Sequence, residues 1–173
     1  MSARGTALLL AVLAALGLYL LLEYRRPAAL APEAESAPPL LGAPAATVVR
    51  IEVDDAEGRL VALRGPSGWT DAAGRPWQGN APAELLEVLA TLGPVMVVDP
   101  EPENPADYGL GPGALRLTLS GAGDRVLLAL ELGERNPAWT GLYARLAGER
   151  RVLLVGAILH WELEKLKESA PES

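Results

Sequence analysis

From Thr47 onward, apolar and polar residues fall into short alternating runs; the first 46 residues show no such alternation. "TVVRIEV" sets Val49, Ile51 and Val53 on one face and Arg50 and Glu52 on the other, the period-two signature of a half-buried strand. "DDAEGR" is turn chemistry and "RLVALR" a returning strand, so residues 47–64 read as a hairpin. "GPSGWTDAAGRPWQGN" is turn-rich, with Trp69 and Trp77 expected over the sheet edge. A helix follows. Asn80 is its candidate N-cap, Pro82 suits its first turn, Leu85, Leu86, Leu89 and Leu92 form its stripe, and Gly93-Pro94 stops it. "VMVV", an unbroken apolar run, reads as a short buried strand. "ALRLTLS", "DRVLLALEL", "GLYARLA" and "RRVLLV" continue the sheet, and Leu159, Leu163 and Leu166 mark a last helix over about 157–167.

Short connections favour antiparallel pairing with the helices on one face. The expected fold class is α+β: a mainly antiparallel β-sheet with two packed helices, behind an N-terminal transmembrane helix. Each half runs strand, turn, strand, a Trp-bearing connection and a closing helix. That is the outline of a diverged β-β-α duplication, although no residue identity links the halves.

The first 46 residues divide differently. After a short tail, 1–5, "TALLLAVLAALGLYLLL" (6–22) is an uncharged run of 17 residues. As a helix it would span about 26 Å, close to a ~30 Å hydrocarbon core. Tyr19, Tyr24, Arg25 and Arg26 sit at one end, where amphipathic rings and snorkelling cations favour the interface. The run exceeds a signal peptide's apolar region, and "EYRR" separates it from the formal cleavage site "ALA" at 29–31, so an uncleaved signal anchor is the reading. A short N-terminus before a single apolar segment more often stays cytoplasmic. The expected location is therefore the inner (cytoplasmic) membrane, single-pass, with the C-terminal domain extracytoplasmic. Residues 27–46 hold five prolines without periodicity and read as a disordered linker before a folded domain at 47–168 and a tail at 169–173.

Composition narrows function by exclusion. The formal net charge is −7; without Arg4, Glu23, Arg25 and Arg26, which flank the apolar run, 12 basic residues face 21 acidic ones. Such a domain repels phosphate backbones, so nucleic acid is not expected as a partner. There is no Cys, which excludes disulfides, thiolate metal sites and a Cys nucleophile. With no Phe, the core must be built from Leu, Val and Ala.

The most distinctive stretch is "NPADYGLGPGALRL", 104–117. Together with "IEV", "GRLVALR", "GW", "LELGERNP", "GLYARL" and "RRVLLV" in this order, it resembles the domain of unknown function 4340 family over roughly residues 47–165. The matching turn markers are Tyr108, Gly109 and Leu110, then Leu132, Gly133, Asn136 and Pro137, then Tyr143. Gly111-Pro112-Gly113 departs from the acidic residue and proline more often found there. The resemblance implies a membrane-anchored, extracytoplasmic protein, some of whose relatives occur beside components of gliding-motility-type ABC transport systems. It implies no catalytic residues.

The residues themselves support no catalytic constellation. His160 is the sole histidine, lacks His or Cys partners for a metal, and stands with no G-x-S-x-G nucleophile elbow. Asp99, Glu101, Glu103 and Asp107 crowd a proline-stiffened loop whose spacing matches no EF-hand and reads as a solvated connector. Asp54, Asp55 and Glu57 occupy a hairpin turn, too exposed to separate their pKa values. Gly109, Gly111 and Gly113 open a strand, whereas a phosphate cradle opens a helix. No enzyme activity and no cofactor are expected. Trp139, in a connection between strands, is the aromatic expected to be exposed and the candidate partner contact. The expected function is an accessory or scaffold component of an envelope or ABC-type transport assembly, held to the lipid bilayer through residues 6–22 and meeting a membrane or envelope protein. The alternative is a tethered binding module for an envelope polymer or small ligand, using Trp69, Trp77 or Trp139.

Overall fold

A computed structural model describes residues 37–171 and, upstream of them, Leu13 alone. The expected transmembrane helix over 6–22 therefore lies outside the described residues, apart from Leu13. Among the described residues no helix is long and apolar enough to cross a membrane.

The alternating runs form one sheet of eight strands: β1 (Arg50–Asp55), β2 (Gly58–Gly65), β3 (Gly68–Thr70), β4 (Met96–Asp99), β5 (Leu115–Ser120), β6 (Val126–Arg135), β7 (Gly141–Leu146) and β8 (Val152–Gly156). Their order is β3-β2-β1-β5-β6-β7-β8-β4, and every neighbouring pair is antiparallel. Two meanders thus run outward from the central β1–β5 pair, where Ile51 faces Leu119 and Val53 faces Leu117. Helix α1 (Ala81–Thr91) follows the first meander and α2 (Ile158–Glu168) the second. The fold is α+β, a mainly antiparallel sheet with two helices.

The core lies between the helices and one face of the sheet. Leu85, Leu86 and Leu89 of α1 and Leu159, Leu163 and Leu166 of α2 are buried there with Ile51, Val53, Leu117 and Leu119. Each fully buried Leu or Val of this kind contributes about 1.5–3 kcal/mol. Lys165 of α2 pairs with Glu84 of α1 across the helices. Asn80 precedes α1 as expected but makes no side-chain cap bond.

Three expectations are corrected. The linker is not open as far as residue 46. Leu40 and Leu41 are 8% and 3% exposed, and their N–H groups donate to Leu92 O (2.8 Å) and Leu89 O (3.1 Å) at the end of α1. Two adjacent leucines in a proline-rich stretch have no periodicity to betray them, yet carry enough apolar area to dock. Next, "VMVV" does not lie buried: β4 is the outermost strand, and Val95, Met96 and Val97 are exposed. Finally, Trp69 lies within β3 itself, and Trp77 enters the core, its Nε1–H donating to Ser169 Oγ at 3.0 Å.

The β1–β2 turn is tied to the end of α2. Asp55 accepts from the N–H groups of Glu57 and Gly58 and pairs with Lys167 at 2.5 Å. The Lys167 bond holds the Asp55 carboxyl below its usual range against the opposing effect of burial. Burial disfavours the Lys167 charge, but the Asp55 bond overcomes it and raises the ammonium above its ordinary value. The depressed Asp55 contributes stability above its unfolded pKa, lost as pH falls through the folded value; the raised Lys167 contributes below its unfolded pKa, lost as pH rises through the folded value. Lys167→Met is expected to cost about 1 kcal/mol at neutral pH. Urea titrations should show that deficit shrinking as pH falls through the depressed folded pKa of Asp55, below which the carboxyl is protonated in both proteins; an undiminished deficit would assign it to lost packing.

Candidate functional site

The stretch 104–114 is a strap built on the sheet. Asn104 Oδ1 accepts from Ala106 N and its Nδ2 donates to Asp107 Oδ1 (2.7 Å), starting a single 3-10 turn, Pro105–Tyr108. Gly109 ends that turn at φ 71°, the left-handed region that favours glycine. Tyr108 then meets Tyr143 edge-to-face, ring centroids 5.1 Å apart, and its hydroxyl donates to Asp99 Oδ2 at 2.9 Å. That bond raises the phenol pKa and keeps it a neutral donor. Leu110 is 1% exposed. The strap crosses β6 at Gly133, where a Cβ would fall 2.1 Å from Tyr108 O. Tyr108, Gly109, Leu110 and Tyr143 are therefore one packing unit.

Asn136 and Pro137 build the β6–β7 turn. Asn136 Oδ1 accepts from the N–H groups of Thr140 (2.9 Å) and Gly141 (3.0 Å), and its Nδ2 donates to Thr140 Oγ1 (2.9 Å). Trp139 N donates to Asn136 O, and the chain holds Trp139 at φ 60° with 70% of its surface exposed. A bulky side chain in the left-handed region costs about 1–3 kcal/mol and persists where surrounding contacts impose it. The expectation that Trp139 is exposed holds in the structure.

Trp139 is not isolated. The Arg135 guanidinium lies 5.2 Å from the Trp139 ring centroid and 5.6 Å from that of Trp161, on the first turn of α2. Ala157 N donates to Thr140 O, joining the two elements. His160 sits edge-to-face with Trp161; burial, then the Arg135 cation, holds its imidazole below its ordinary pKa and therefore neutral at pH 7. Ile158 is exposed beside them. β4 starts at the same end of the sheet, since Val95 N donates to Leu154 O and Gly156 pairs with Gly141. Seven large apolar side chains are exposed between residues 37 and 171, and six lie at this end or on the edge strand that leads away from it: Trp139, Ile158 and Trp161 at the end, and Val95, Met96 and Val97 along the edge, where Met96 stands opposite Leu154 and Val97 opposite Leu153. Val126, at the far end of β6, is the exception. Exposed apolar surface of this kind marks an interaction site.

Other expected positions stay apart from this end or serve structure. Asp54, Asp55 and Glu57 belong to the turn held by Lys167. Glu101 pairs with Arg150, and Asp99 and Asp107 are engaged within the strap. Glu103 is exposed in the same loop. Among the described residues, no group of three or more His, Asp or Glu is placed to hold a metal. The open face of the sheet carries Glu52 between Arg50 and Arg59 and Glu131 between Arg116 and Arg145. Bonding to Arg59 lowers the Glu52 pKa.

Residues 69–169 match a protein family described as Domain of unknown function (DUF4340). The chain belongs to that family. The match takes in the strap, the Asn136–Pro137 turn, α1, α2 and β4, so the apolar end of the domain lies inside the DUF4340 region. No curated protein sequence and no solved structure gives a match.

Sequence reading missed Arg135, Trp161 and Ile158 as companions of Trp139. Helical phase carries the signal for Trp161: it stands opposite the stripe of Leu159, Leu163 and Leu166. Nothing in the pattern brings Arg135 to it, because the two meet only through tertiary folding.

Proposed function

We propose that this DUF4340 domain is a membrane-tethered, extracytoplasmic docking module that offers the free edge of β4 to a protein partner, as an accessory or scaffold component of an envelope or ABC-type transport assembly. One observation carries the reading: β4 is an open sheet edge whose Met96 and Val97, with Val95 just before them, are exposed. Sheet edges are ordinarily blunted by charge, proline or brevity, because they template pairing with another chain. The opposite edge obeys that rule. β3 has three residues, Arg64 stacks on its Trp69 at 4.7 Å, and Pro76 bridges Thr70. β4 is short too, four residues between Pro94 and Pro100 with a register shift after Val97, but its charge comes only at Asp99, after the exposed apolar run. Strand addition uses such an edge, main-chain bonds giving affinity and alternate side chains specificity. Tethering near a membrane partner would raise its effective concentration.

The binding-module alternative draws less support. Trp77 is buried with its N–H engaged, and Trp69 packs against the core under Arg64. Neither offers a free ring face for a sugar or small ligand, which leaves Trp139, 70% exposed, as the alternative's one available ring.

Val97→Lys places on β4 the charge that guarded edges carry. Affinity purification of the full chain from detergent-solubilised membranes should then recover at least about tenfold less partner, with the melting temperature changed by less than about 3 °C. Undiminished recovery of the same partner would remove β4 from the interface.

A further inference from the structure

We infer that the end of the domain bearing Trp139, Trp161 and Ile158 rests in the headgroup region of the lipid bilayer, so that the domain stands on the membrane in a fixed orientation. The inference rests on the anchored reading of residues 6–22 and goes beyond the docking of a protein at β4.

The first observation is where the chain enters. Ala37 O lies so close to Gly93 that a Cβ there would come within 2.3 Å of it. Gly93 is two residues before Val95, and a side chain at Gly156 would touch Leu92 Cδ1 at 3.4 Å and approach Ile158. The chain thus joins the domain at its apolar end. Only residues 23–36 separate the apolar run from Ala37, and so short a segment spans at most about 50 Å. On the anchored reading, the end that the tether enters is held within that distance of the bilayer.

The second observation is composition. Tryptophan favours the headgroup level, where its ring is sheltered and its N–H stays wet. Two tryptophans, 70% and 61% exposed, stand there with Ile158. Arg135 lies against both rings, a position from which a guanidinium reaches lipid phosphate while its stem stays in apolar surroundings. His160 is neutral and adds no charge to desolvate. Glu134 turns the other way, its Cγ within 2.5 Å of where a Gly109 Cβ would stand. The strained backbone at Trp139 gains a reason, since it projects the ring beyond the sheet. With a formal net charge of −7, the chain is not drawn to the bilayer by general attraction to anionic lipid; apolar insertion is the driving term.

The four tryptophans make the test internal to the protein. The full chain, labelled with 5-fluorotryptophan, is reconstituted into phosphatidylcholine nanodiscs carrying a headgroup nitroxide lipid, and the fluorine resonances are assigned with Trp139→Phe and Trp161→Phe. The Trp139 and Trp161 resonances should broaden several-fold more than those of Trp69 and Trp77, and should do so equally in about 0.5 M salt, where surface charge effects are screened. A chain that enters the nanodisc and shows no selective broadening overturns the inference while leaving the anchor standing. Broadening that disappears at high salt overturns insertion. Failure of the chain to enter the nanodisc removes the anchor and the inference with it. Trp139 and Trp161 covered by protein in native membranes, read as photocrosslinks from those positions to polypeptide alone, would replace lipid with a protein partner.

Discussion

Gly133→Ala is expected to lower the unfolding free energy by roughly 2–4 kcal/mol, a large effect for one methyl group. The new Cβ would stand 2.1 Å from Tyr108 O and 3.0 Å from Gly109 C. Both obstacles are backbone, so no rotamer change relieves them. Either β6 bends away or the strap lifts, and lifting loosens the Tyr108–Tyr143 contact and the burial of Leu110. Gly42→Ala is the matched control, because its Cβ meets nothing within 4 Å and its φ is unremarkable for an L-residue. Urea unfolding should place the control within about 0.5 kcal/mol of the parent. A Gly133→Ala protein as stable as the control would mean that the strap does not bear on β6.

Leu110→Ala is expected to cost about 2–4 kcal/mol through lost transfer energy and the cavity left behind. Leu110 is 1% exposed yet stands outside the main core cluster between helices and sheet. Its burial comes from the strap, whose other fixings are the Tyr108 bond to Asp99 and the Asn104 cap. The two changes should combine sub-additively, because each releases the same segment. Full additivity in a double-mutant cycle would separate Leu110 from the strap. Urea unfolding followed by near-ultraviolet and by far-ultraviolet dichroism should coincide if strap and sheet form one cooperative unit.

The stripes that alternate or recur at helical spacing are legible in the amino-acid sequence alone. Ile51 and Val53, Leu117 and Leu119, and Leu159, Leu163 and Leu166 all lie where their periodicity places them. Trp139 is legible too, since a tryptophan between two strand patterns has no stripe to join. Longer-range matters are not. Nothing local says that β1 pairs with β5, or that the strand after α1 travels to the far side of the sheet beside β8. An unbroken run such as Val95–Val98 looks buried because it lacks polar alternation, but an edge strand needs none if another surface covers it. Leu40 and Leu41 are hidden by the prolines around them. Gly133 is legible only as a family marker; its reason, the passage of Tyr108 over it, exists only in three dimensions. The apolar end shares that property, being assembled from the β6–β7 turn, the start of α2 and β4.

That β4 is the edge a partner occupies is tested most directly by a photo-reactive diazirine side chain placed at position 96 of the full chain in intact membranes. Met96 is 55% exposed on the outermost strand. The expected result is an adduct to a membrane or envelope protein, mapped by mass spectrometry to an extended apolar segment and lost when Val97→Lys is added. Adducts confined to lipid, to a second copy of this chain or to no polypeptide at all, with the chain resident in the membrane, would contradict it.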